Sequence, residues 1–407
     1  MKFIPKLNFF SPIFILIFGS FLVGAANSAM IPFLSIFLSR NSNLSLSEIG
    51  IIVGISPFMG IFGGIIGGYL ADRYGKKEIM LITLLVTIVS TIGLTLTTHF
   101  WVLIMINAIC GFSRIAFNPV ARSILTDLVK SEIRMKILSY DQTAFNSGYV
   151  LGMLLGSLLI ELNSPAPLYF TATMTGILFL LIFFCIQKPA GFARTFSTLD
   201  VKEKLGLGQS FALIYRDRVL LWITLGGILF NMAFFQLTTT FPIFMEYNWE
   251  SNGIRLYSFL IIINTIMVIG LQIKLTKVLE NRNPYILLTI ASLFGALAYT
   301  IFQIESIWIY VIAIIVLTFG ELISFIGVQQ STLDLSSEQT KSTYFGFRSV
   351  TSLGISLGPA FGMFLLDNYS AAIMLIICSL VFLISAGCYM VAYQTRNVRK
   401  IEMEVIV

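Results

Sequence analysis

Charged residues are scarce in this chain. Only 11% of its 407 residues are Asp, Glu, Lys or Arg, whereas 57% are hydrophobic and the mean hydropathy is +0.90. A soluble globular protein carries about a quarter charged residues, because its surface must remain hydrated. The composition therefore excludes a water-soluble protein. The net charge of +6 rests on so few groups that it indicates membrane topology and not a nucleic-acid partner.

Histidine and cysteine are also rare. The single histidine, His99, lies in a predicted loop, and the four cysteines form no Cys-x-x-Cys pair. The sequence therefore predicts no metal site, and neither a Walker A sequence nor a cluster of catalytic groups indicates a cofactor or an enzyme. All four cysteines lie in apolar runs, which indicates buried thiols and no disulfide framework: Cys110, Cys185, Cys378 and Cys388.

Long apolar runs, by contrast, are abundant. A membrane-spanning helix needs about 20 mostly apolar residues. Because the runs are continuous and do not alternate, they are not barrel strands. They predict an all-α multi-pass membrane protein with twelve transmembrane helices: 11–38, 48–70, 79–96, 101–121, 137–160, 166–186, 219–245, 254–273, 284–302, 307–329, 344–366 and 371–393.

The first run has a second interpretation. Lys2 and Lys6, an apolar stretch and the small residues at 25–29 resemble a cleavable signal peptide. Apolar residues continue beyond that point to Phe37, however, and complete a full span. Removal of this segment would leave eleven spans, so a retained first span is favoured.

Lysine and arginine are distributed unevenly over the predicted loops. If both termini are cytoplasmic, 23 of the 26 lie on the cytoplasmic side or beside it. Only Arg40 and Arg255 lie on the opposite side, and Arg114 lies within a span. Positive residues concentrate in cytoplasmic loops. We therefore expect both termini in the cytoplasm and the chain in a bacterial inner (plasma) membrane.

The twelve runs form two related halves. The longest connection predicts an N-terminal six-helix bundle at 1–186, a cytoplasmic linker at 187–218, and a C-terminal bundle with a short tail at 219–407. Internal repeats are typical of transporters whose site lies between the halves. Small residues at every fourth position also allow close helix packing. The repeated glycines, 206 residues apart, are Gly148, Gly152 and Gly156 in span five and Gly354, Gly358 (followed by Pro359) and Gly362 in span eleven.

A charged motif follows the second span. The stretch from Gly68 to Lys77 contains Asp72-Arg73 and Gly75-Lys76-Lys77, and it fits G-x-x-x-D-R-x-G-[RK]-[RK] without a mismatch. Together with twelve spans, a 6+6 repeat and a central linker, it resembles the signature of the major facilitator superfamily (MFS). The chain is most similar to the bacterial drug and metabolite exporters of that superfamily. The resemblance covers the whole chain and implies a pseudo-symmetric 6+6 fold.

The resemblance also implies a conformational role for this loop. In the family the carboxylate that corresponds to Asp72 latches the outward-open state, with Gly68 and Gly75 shaping the helix end and the turn. We expect its partners among Arg122, Arg134 and Arg348. A simpler interpretation holds that the basic residues only orient the chain in the membrane: Arg73, Lys76 and Lys77.

Two ionisable residues lie deep in the predicted spans, Arg114 in span four and Glu321 in span ten. Because such groups are costly in lipid, we expect both to be functional, and the resemblance places both spans around a central cavity. A carboxyl that is alternately buried and hydrated can bind and release a proton, so Glu321 is a candidate proton-coupling group. Arg114 is a candidate counter-ion for an anionic substrate group. A structural ion pair is the alternative for both.

Uncharged polar residues accompany these two. On span four, polar positions recur so that they share one helix face with Arg114. Each polar residue could serve only to bond neighbouring helices. Together with the aromatic Phe235, they are candidate substrate contacts: Asn118, Asn107, Asn27, Asn231, Thr238, Asn264, Asn146 and Tyr149.

These patterns predict a secondary active transporter. We favour proton-coupled export of a small amphipathic or anionic compound (drug, metabolite or siderophore-like). The expected partners are the substrate, protons and the bilayer, with no nucleic acid, and a monomer is expected. Proton-symport uptake of a small organic solute is the alternative, and a non-transporting membrane sensor is a third interpretation.

Overall fold

The computed structural model describes residues 11–129, 134–162, 164–186, 217–249, 252–335 and 349–406. All regular secondary structure within these ranges is helical, which confirms the all-α prediction. The predicted linker at 187–218 lies outside the described residues except for its last two positions.

The first half contains six long helices, each matching a predicted apolar run. Two of these helices are capped by the serine that precedes them. Ser11 accepts a hydrogen bond from the backbone N–H of Phe14, and Ser45 and Glu48 form a capping box that satisfies free backbone N–H groups. The helices are α1 (Pro12–Asn41), α2 (Leu46–Tyr74), α3 (Lys76–Gly93), α4 (Phe100–Asp127), α5 (Arg134–Leu162) and α6 (Ala166–Cys185).

The second half is less regular. Asp217 and Asn283 cap two of its helices through their side-chain oxygens. The helices are α7 (Arg218–Phe234), α8 (Gln236–Thr239), α9 (Phe241–Trp249), α10 (Gly253–Leu279), α11 (Pro284–Ile301), α12 (Ile307–Leu335), α13 (Ser352–Asn368), which follows a 3-10 turn at Ser349–Thr351, and α14 (Ala371–Ile406).

Ten helices of the described chain are long and apolar enough to cross a membrane. The two remaining predicted spans correspond to α3 and α13. Helix α3 has 18 residues and begins with the charged residues Lys76, Lys77 and Glu78, whereas α13 has 17 residues and follows a stretch outside the described ranges. The chain is a multi-span helical membrane protein. The ten long apolar helices, together with α3 and α13, are consistent with the twelve predicted spans.

The predicted seventh span, 219–245, is not one continuous helix. It is divided into α7, α8 and α9, with interruptions at Phe235 and Thr240. Pro242 has no N–H to donate to the carbonyl four residues earlier and its ring crowds that carbonyl. The side chain of Gln236 donates to the carbonyl oxygens of Met232 (2.9 Å) and Gly358 (2.6 Å). The predicted span at 219–245 is therefore a helix that is interrupted at two positions.

The chain packs as two compact units. The first comprises Met1–Thr198 and Thr238–Ser258, and the second comprises Leu199–Leu237 and Phe259–Val407. In the first unit α1 packs against α5 and α6, and α2 packs against α4. In the second, α11 packs against α12 and α14, and α7 packs against α13 and α14. The first unit thus includes a segment, 238–258, that lies within the predicted C-terminal bundle; the predicted domain boundaries stay a prediction.

The repeated glycines lie at close helix contacts within each unit. A Cβ added at Gly148 or Gly152 would overlap the backbone of α1, and one at Gly156 would lie 2.5 Å from the Phe33 ring. A Cβ at Gly354 would overlap the backbone of α7. In α13 a Cβ at Gly358 would lie 3.0 Å from the carbonyl oxygen of Met232, and Pro359 and Gly362 are buried.

Candidate functional site

Arg114 lies at the middle of α4, in the first unit. Its Nη2 donates to Ser56 Oγ (3.2 Å), and its Nη1 contacts Met30 Sδ (4.0 Å). None of the Asp and Glu residues in the described ranges forms an ion pair with it. Because the described contacts of this guanidinium are one hydroxyl and one thioether, most of its five N–H donors can bind another group.

Asn107 has a different environment from Arg114, although both lie on the predicted polar face of α4. It is buried, and its Nδ2 donates to the carbonyl oxygen of Ile52 in α2 (2.6 Å). At Gly111, one turn further, an added Cβ would overlap the backbone of Ser56. The close contact between α2 and α4 therefore fixes Asn107 and places Ser56 beside Arg114.

A second polar cluster joins α1, α4 and α5. Asp141 is 3% exposed, accepts a hydrogen bond from Ser20 Oγ, and lies 3.4 Å from Arg122 Nε. Arg122 also donates to Gln142 Oε1 (3.2 Å), whose amide donates to Asn146 Oδ1 (3.1 Å). Asp141 is not among the residues predicted from the sequence, because a charge near the end of a span is less unusual than one deep within it. Its position inside the predicted span 137–160 was a usable signal.

The charged loop between α2 and α3 is built around Gly75. This residue ends α2 with φ +106°, a conformation that favours glycine. Lys76 Nζ lies 2.6 Å from Ser123 Oγ and 2.6 Å from Asp127 Oδ2, so it joins the start of α3 to the end of α4. Lys77 Nζ donates to the carbonyl oxygen of Phe183 (2.9 Å). Asp127 is a second carboxylate that is not among the site residues predicted from the sequence.

The predicted latch partners of Asp72 stay a prediction. Asp72 and Arg134 lie in helices, but their side chains are not among those described, and Arg348 lies outside the described residues. Arg73 is exposed and lies over the ring of Tyr74 at 5.4 Å. Arg122 contacts Asp141 and Gln142, as above, and Gly68 lies within α2.

Glu321 is the central residue of α12, in the second unit. Asn264 of α10 donates from Nδ2 to Glu321 Oε2 (2.8 Å) and lies 3.0 Å from Thr318 Oγ1. Thr318 in turn donates to the carbonyl oxygen of Ile314 (2.6 Å). Neither Lys nor Arg pairs with Glu321 in the part of the chain that is described. The structure thus brings together two predicted site residues, Glu321 and Asn264.

Other predicted contacts of the second unit lie near a cavity of about 150 Å³. Asn231 lines it and donates to the carbonyl oxygen of Thr351 (3.0 Å), and the described lining residues include Ser324 and Tyr389 but none that is charged. Phe235 ends α7 with its ring 5.7 Å from that of Phe234.

The remaining candidates lie in the first unit and are half-buried. The ring of Tyr149 lies 6.4 Å from that of Phe145, on the next turn of α5. Asn27 and Asn118 lie in α1 and α4, and Thr238 lies in the segment that joins the first unit. Arg114 and Glu321 belong to different units, so the cavity that both are predicted to face stays a prediction.

Known proteins resemble this chain in sequence and in fold. The sequence profile described as Major Facilitator Superfamily matches residues 16–352. The MFS-type transporter YqjV of Bacillus subtilis (strain 168) is 24% identical over 358 residues, which cover 88% of this chain and 86% of that protein. The Na(+), Li(+), K(+)/H(+) antiporter of Planococcus maritimus is 24% identical over 379 residues, covering 84% and 86%.

A solved structure shows the same fold. The crystal structure of the nucleoside transporter NupG has a TM-score of 0.80 to this chain at 15% identity, covering 94% of this chain and 99% of that one. These similarities confirm the resemblance that the sequence motif indicated.

Proposed function

The chain belongs to the major facilitator superfamily, and we propose that it is a proton-coupled secondary transporter that moves a small molecule across the membrane by alternating access. We place the boundaries of its two six-helix bundles at 1–186 and 219–407. Both termini lie in the cytoplasm of a bacterial cell. Glu321 binds the coupling proton, and Arg114 binds an anionic group of the substrate.

The observation that carries this proposal is the environment of Glu321. The carboxyl lies at the centre of a 29-residue apolar helix, and its described polar contact is the neutral amide of Asn264 at 2.8 Å. A carboxylate without a cationic partner is costly in a membrane, whereas a carboxylic acid is tolerated. Hydration of the site would ionise the group, and closure would favour protonation. Such a group can carry one proton per cycle.

Arg114 supports an anionic or amphipathic substrate. Its guanidinium has the geometry to bind a carboxylate or phosphate through two parallel hydrogen bonds. Its contacts among the described residues, Ser56 and Met30, are both uncharged. An arriving anion would supply that charge. We favour export of such a compound. The direction of proton flow relative to the substrate distinguishes export from uptake by proton symport.

The test uses purified protein in liposomes that contain a pH-sensitive dye. A panel of anionic and amphipathic compounds is added, and a compound that triggers proton flux identifies the substrate class. Proton flow opposite to the substrate indicates antiport, and flow with it indicates symport. With that compound, we expect Glu321→Gln to lose accumulation driven by an imposed pH step while substrate exchange at equal pH is retained.

The matched control is Glu305→Gln, which makes the same change in an exposed loop residue before α12. This variant should accumulate substrate as the unmodified protein does. Continued uphill accumulation by Glu321→Gln under the pH step would show that the coupling group lies elsewhere. Loss of exchange as well as accumulation would assign Glu321 to substrate binding instead.

A second candidate function is the exchange of a monovalent cation for protons. It is favoured by the relative named as a Na(+), Li(+), K(+)/H(+) antiporter. In this case the Glu321 carboxylate would bind the cation or the proton in turn. Pulses of NaCl, LiCl and KCl in the same liposome assay separate the two candidates, because only cation exchange gives proton flux without an organic compound.

A further inference from the structure

The cavity of about 150 Å³ lies between α7 and α12, and all of its described lining residues belong to the second unit. On α7 they recur at the spacing of one helix face from Leu220 to Asn231, and on α12 they extend from Ser324 to Leu335. Each stretch rises by about 16 Å, which is about half the thickness of the hydrocarbon core. The cavity therefore runs from the middle of the predicted spans to the side on which α7 begins and α12 ends.

Glu321 lies one helical turn from the inner end of this cavity. Ser324 lines the cavity and follows Glu321 by three residues on α12. Residues at this spacing are neighbours on the helix surface, with Cβ atoms about 5–6 Å apart. Because side chains lean towards the N-terminus of their helix, Ser324 leans over the turn that carries Glu321. The carboxyl therefore has a neighbouring hydroxyl on the cavity wall.

The hydroxyl of Ser324 has no hydrogen-bond partner among the described residues, although the residue is only 7% exposed. A buried hydroxyl without a partner destabilises the fold, because its interactions with water are lost and not replaced. A water molecule in the adjoining cavity would be that partner. Ser324 thus indicates that the cavity is hydrated.

The cavity walls also suit water better than an apolar molecule. The Oγ1 atoms of Thr224 and Thr332 each donate to the carbonyl oxygen four residues earlier (2.8 Å), so their lone pairs can accept hydrogen bonds from water. The polar lining residues are Thr224, Asn231, Ser324, Ser331, Thr332 and Tyr389. One water molecule needs about 10–15 Å³ of space accessible to its centre and two to four polar partners. The cavity therefore has the volume and the polar groups for several water molecules.

Within the described walls, the cavity has no charged group that would retain a proton. Tyr389 is the titratable residue among its described lining residues. Helix α11, which packs against α12, has neither acidic nor basic residues from Pro284 to Ile301. On α10 the group that contacts Glu321 is the neutral amide of Asn264. A proton that leaves Glu321 for cavity water therefore meets no competing carboxylate there.

We propose that this cavity is a water-filled chamber through which Glu321 exchanges its coupling proton with the side of the membrane on which α7 begins and α12 ends. This inference rests on the proposed function of Glu321 as the coupling group. The carboxyl transfers its proton to a chamber water, which leaves a carboxylate and a hydronium ion, and the proton then passes to the next water. The reverse steps protonate the carboxyl again. Because all described walls belong to the second unit, the proton does not need the path that the substrate takes.

The first test asks whether the chamber is hydrated, and it does not depend on the role of Glu321. The four native cysteines are replaced by alanine, and Ser324→Cys or Ser331→Cys is introduced into the full-length chain. Silver ion, which is no larger than a water molecule, is the probe, and the thiol that remains is measured with N-ethylmaleimide after denaturation. We expect silver to react at both reporters. It should not react at Ser385→Cys, where the native serine is fully buried and donates to the carbonyl oxygen of Gly226 (2.8 Å).

Filling the chamber should slow this reaction. Thr224→Leu adds apolar bulk to the α7 wall and should lower the silver rate at Ser331→Cys to that at Ser385→Cys. The matched control is Thr173→Leu, the same change at an exposed position of α6 whose hydroxyl also donates to the carbonyl oxygen four residues earlier (2.8 Å). Rates at the two reporters no faster than at Ser385→Cys would overturn the chamber. An unslowed reaction in Thr224→Leu would also overturn it, because silver would then arrive by another path.

The second test measures proton flux in the liposome assay with the compound identified there. Thr224→Leu should lower the rate of proton flux and retain substrate exchange at equal pH, whereas Thr173→Leu should match the parent in both. Ser324→Ala, which cannot overpack the chamber, should also lower proton flux. Loss of exchange in Thr224→Leu would overturn the assignment, since the residue would then serve substrate binding or the fold.

Failure of this inference is distinct from failure of the proposed function. Parental proton flux in both Thr224→Leu and Ser324→Ala would overturn the route even if Glu321→Gln has lost uphill accumulation. Uphill accumulation by Glu321→Gln would overturn the proposed function and the route with it, whereas the silver reaction would still decide whether the chamber is hydrated.

Discussion

At the scale of single residues, the groups that contact Arg114 decide how its charge is compensated. Lipid and apolar side chains cannot compensate a guanidinium charge, so an intramembrane arginine needs an anion, water or several acceptors. Here the contacts are Ser56 Oγ at 3.2 Å and Met30 Sδ at 4.0 Å. We therefore propose that a substrate anion completes this set and that Arg114 helps to determine which compounds bind.

Arg114→Ala should weaken the binding of an anionic substrate and leave a neutral analogue unaffected. A hydrogen bond to a charged group contributes about 1.5–3 kcal/mol, so we expect a roughly 10- to 150-fold higher Kd, measured by ligand-induced fluorescence quenching on purified protein. Arg282→Ala, at an exposed loop position, is the matched control. Equal affinity of Arg114→Ala and the parent for the anion would remove Arg114 from the site.

The sequence predicts only some of these residues. Arg114 and Glu321 are visible in sequence because an ionisable group deep in an apolar run is rare for an energetic reason. Asp141 is not distinguished in this way, since charges are common near the ends of spans. Its burial follows from Ser20 and Arg122, which lie on two other helices. Such contacts arise only when the helices pack.

At the scale of helices, α1 and α5 pack at unusually short range. A Cβ added at Gly152 would overlap the carbonyl oxygen of Ala25 and the Oγ of Ser28, and a side chain there would have to separate the two backbones. Gly176, in α6 of the same unit, has nothing within 4 Å of an added Cβ. These two glycines make a matched pair of test sites.

Gly152→Ala should destabilise the protein, whereas Gly176→Ala should not. Overpacking at a tight contact costs about 1–3 kcal/mol, and alanine at an open helical position is favourable by up to about 1 kcal/mol. The thermal unfolding midpoint in detergent should therefore fall for Gly152→Ala and stay equal or rise for Gly176→Ala. Identical midpoints for the two variants would contradict close packing of α1 against α5.

Apolar runs predict where helices lie, but not whether each is continuous. Run 219–245 meets every requirement of a span, yet it is divided at Phe235 and Thr240. Pro242 is a local signal for the second interruption. The first involves Gln236, which donates to the carbonyl oxygen of Gly358 122 residues away in the sequence. A contact between residues so far apart in the sequence produces no periodic pattern from which it could be predicted.

At the scale of the whole molecule, the fold follows from few sequence properties. The apolar composition indicates a lipid environment, and the length of the apolar runs indicates membrane-spanning helices. The loop motif, together with the 6+6 repeat, indicates the family. The membership of residues 238–258 in the first unit does not follow from them. It depends on α9 packing against α1 and on two ion pairs between residues 206 and 94 positions apart, Arg40 with Glu246 and Arg255 with Glu161.

The orientation of the molecule is the remaining property that the charges predict. Because 23 of 26 positive residues favour one side, alkaline phosphatase fused after Leu44 or Ile304 should be active in a bacterial host, since that enzyme requires export. Fusions after Leu128 or Asn281 should be inactive, and a green fluorescent protein at the same four sites should give the opposite pattern.

These four sites lie in loops or at a helix end, so the fusions interrupt no helix. The reverse pattern would place the ends of α1 and α5 in the cytoplasm, together with Arg40 and Arg255. The two paired arginines would then follow the positive-inside distribution while most of the other positive residues opposed it. Such an outcome would show that the packing of the helices, and not the loop charges, sets the orientation of this chain.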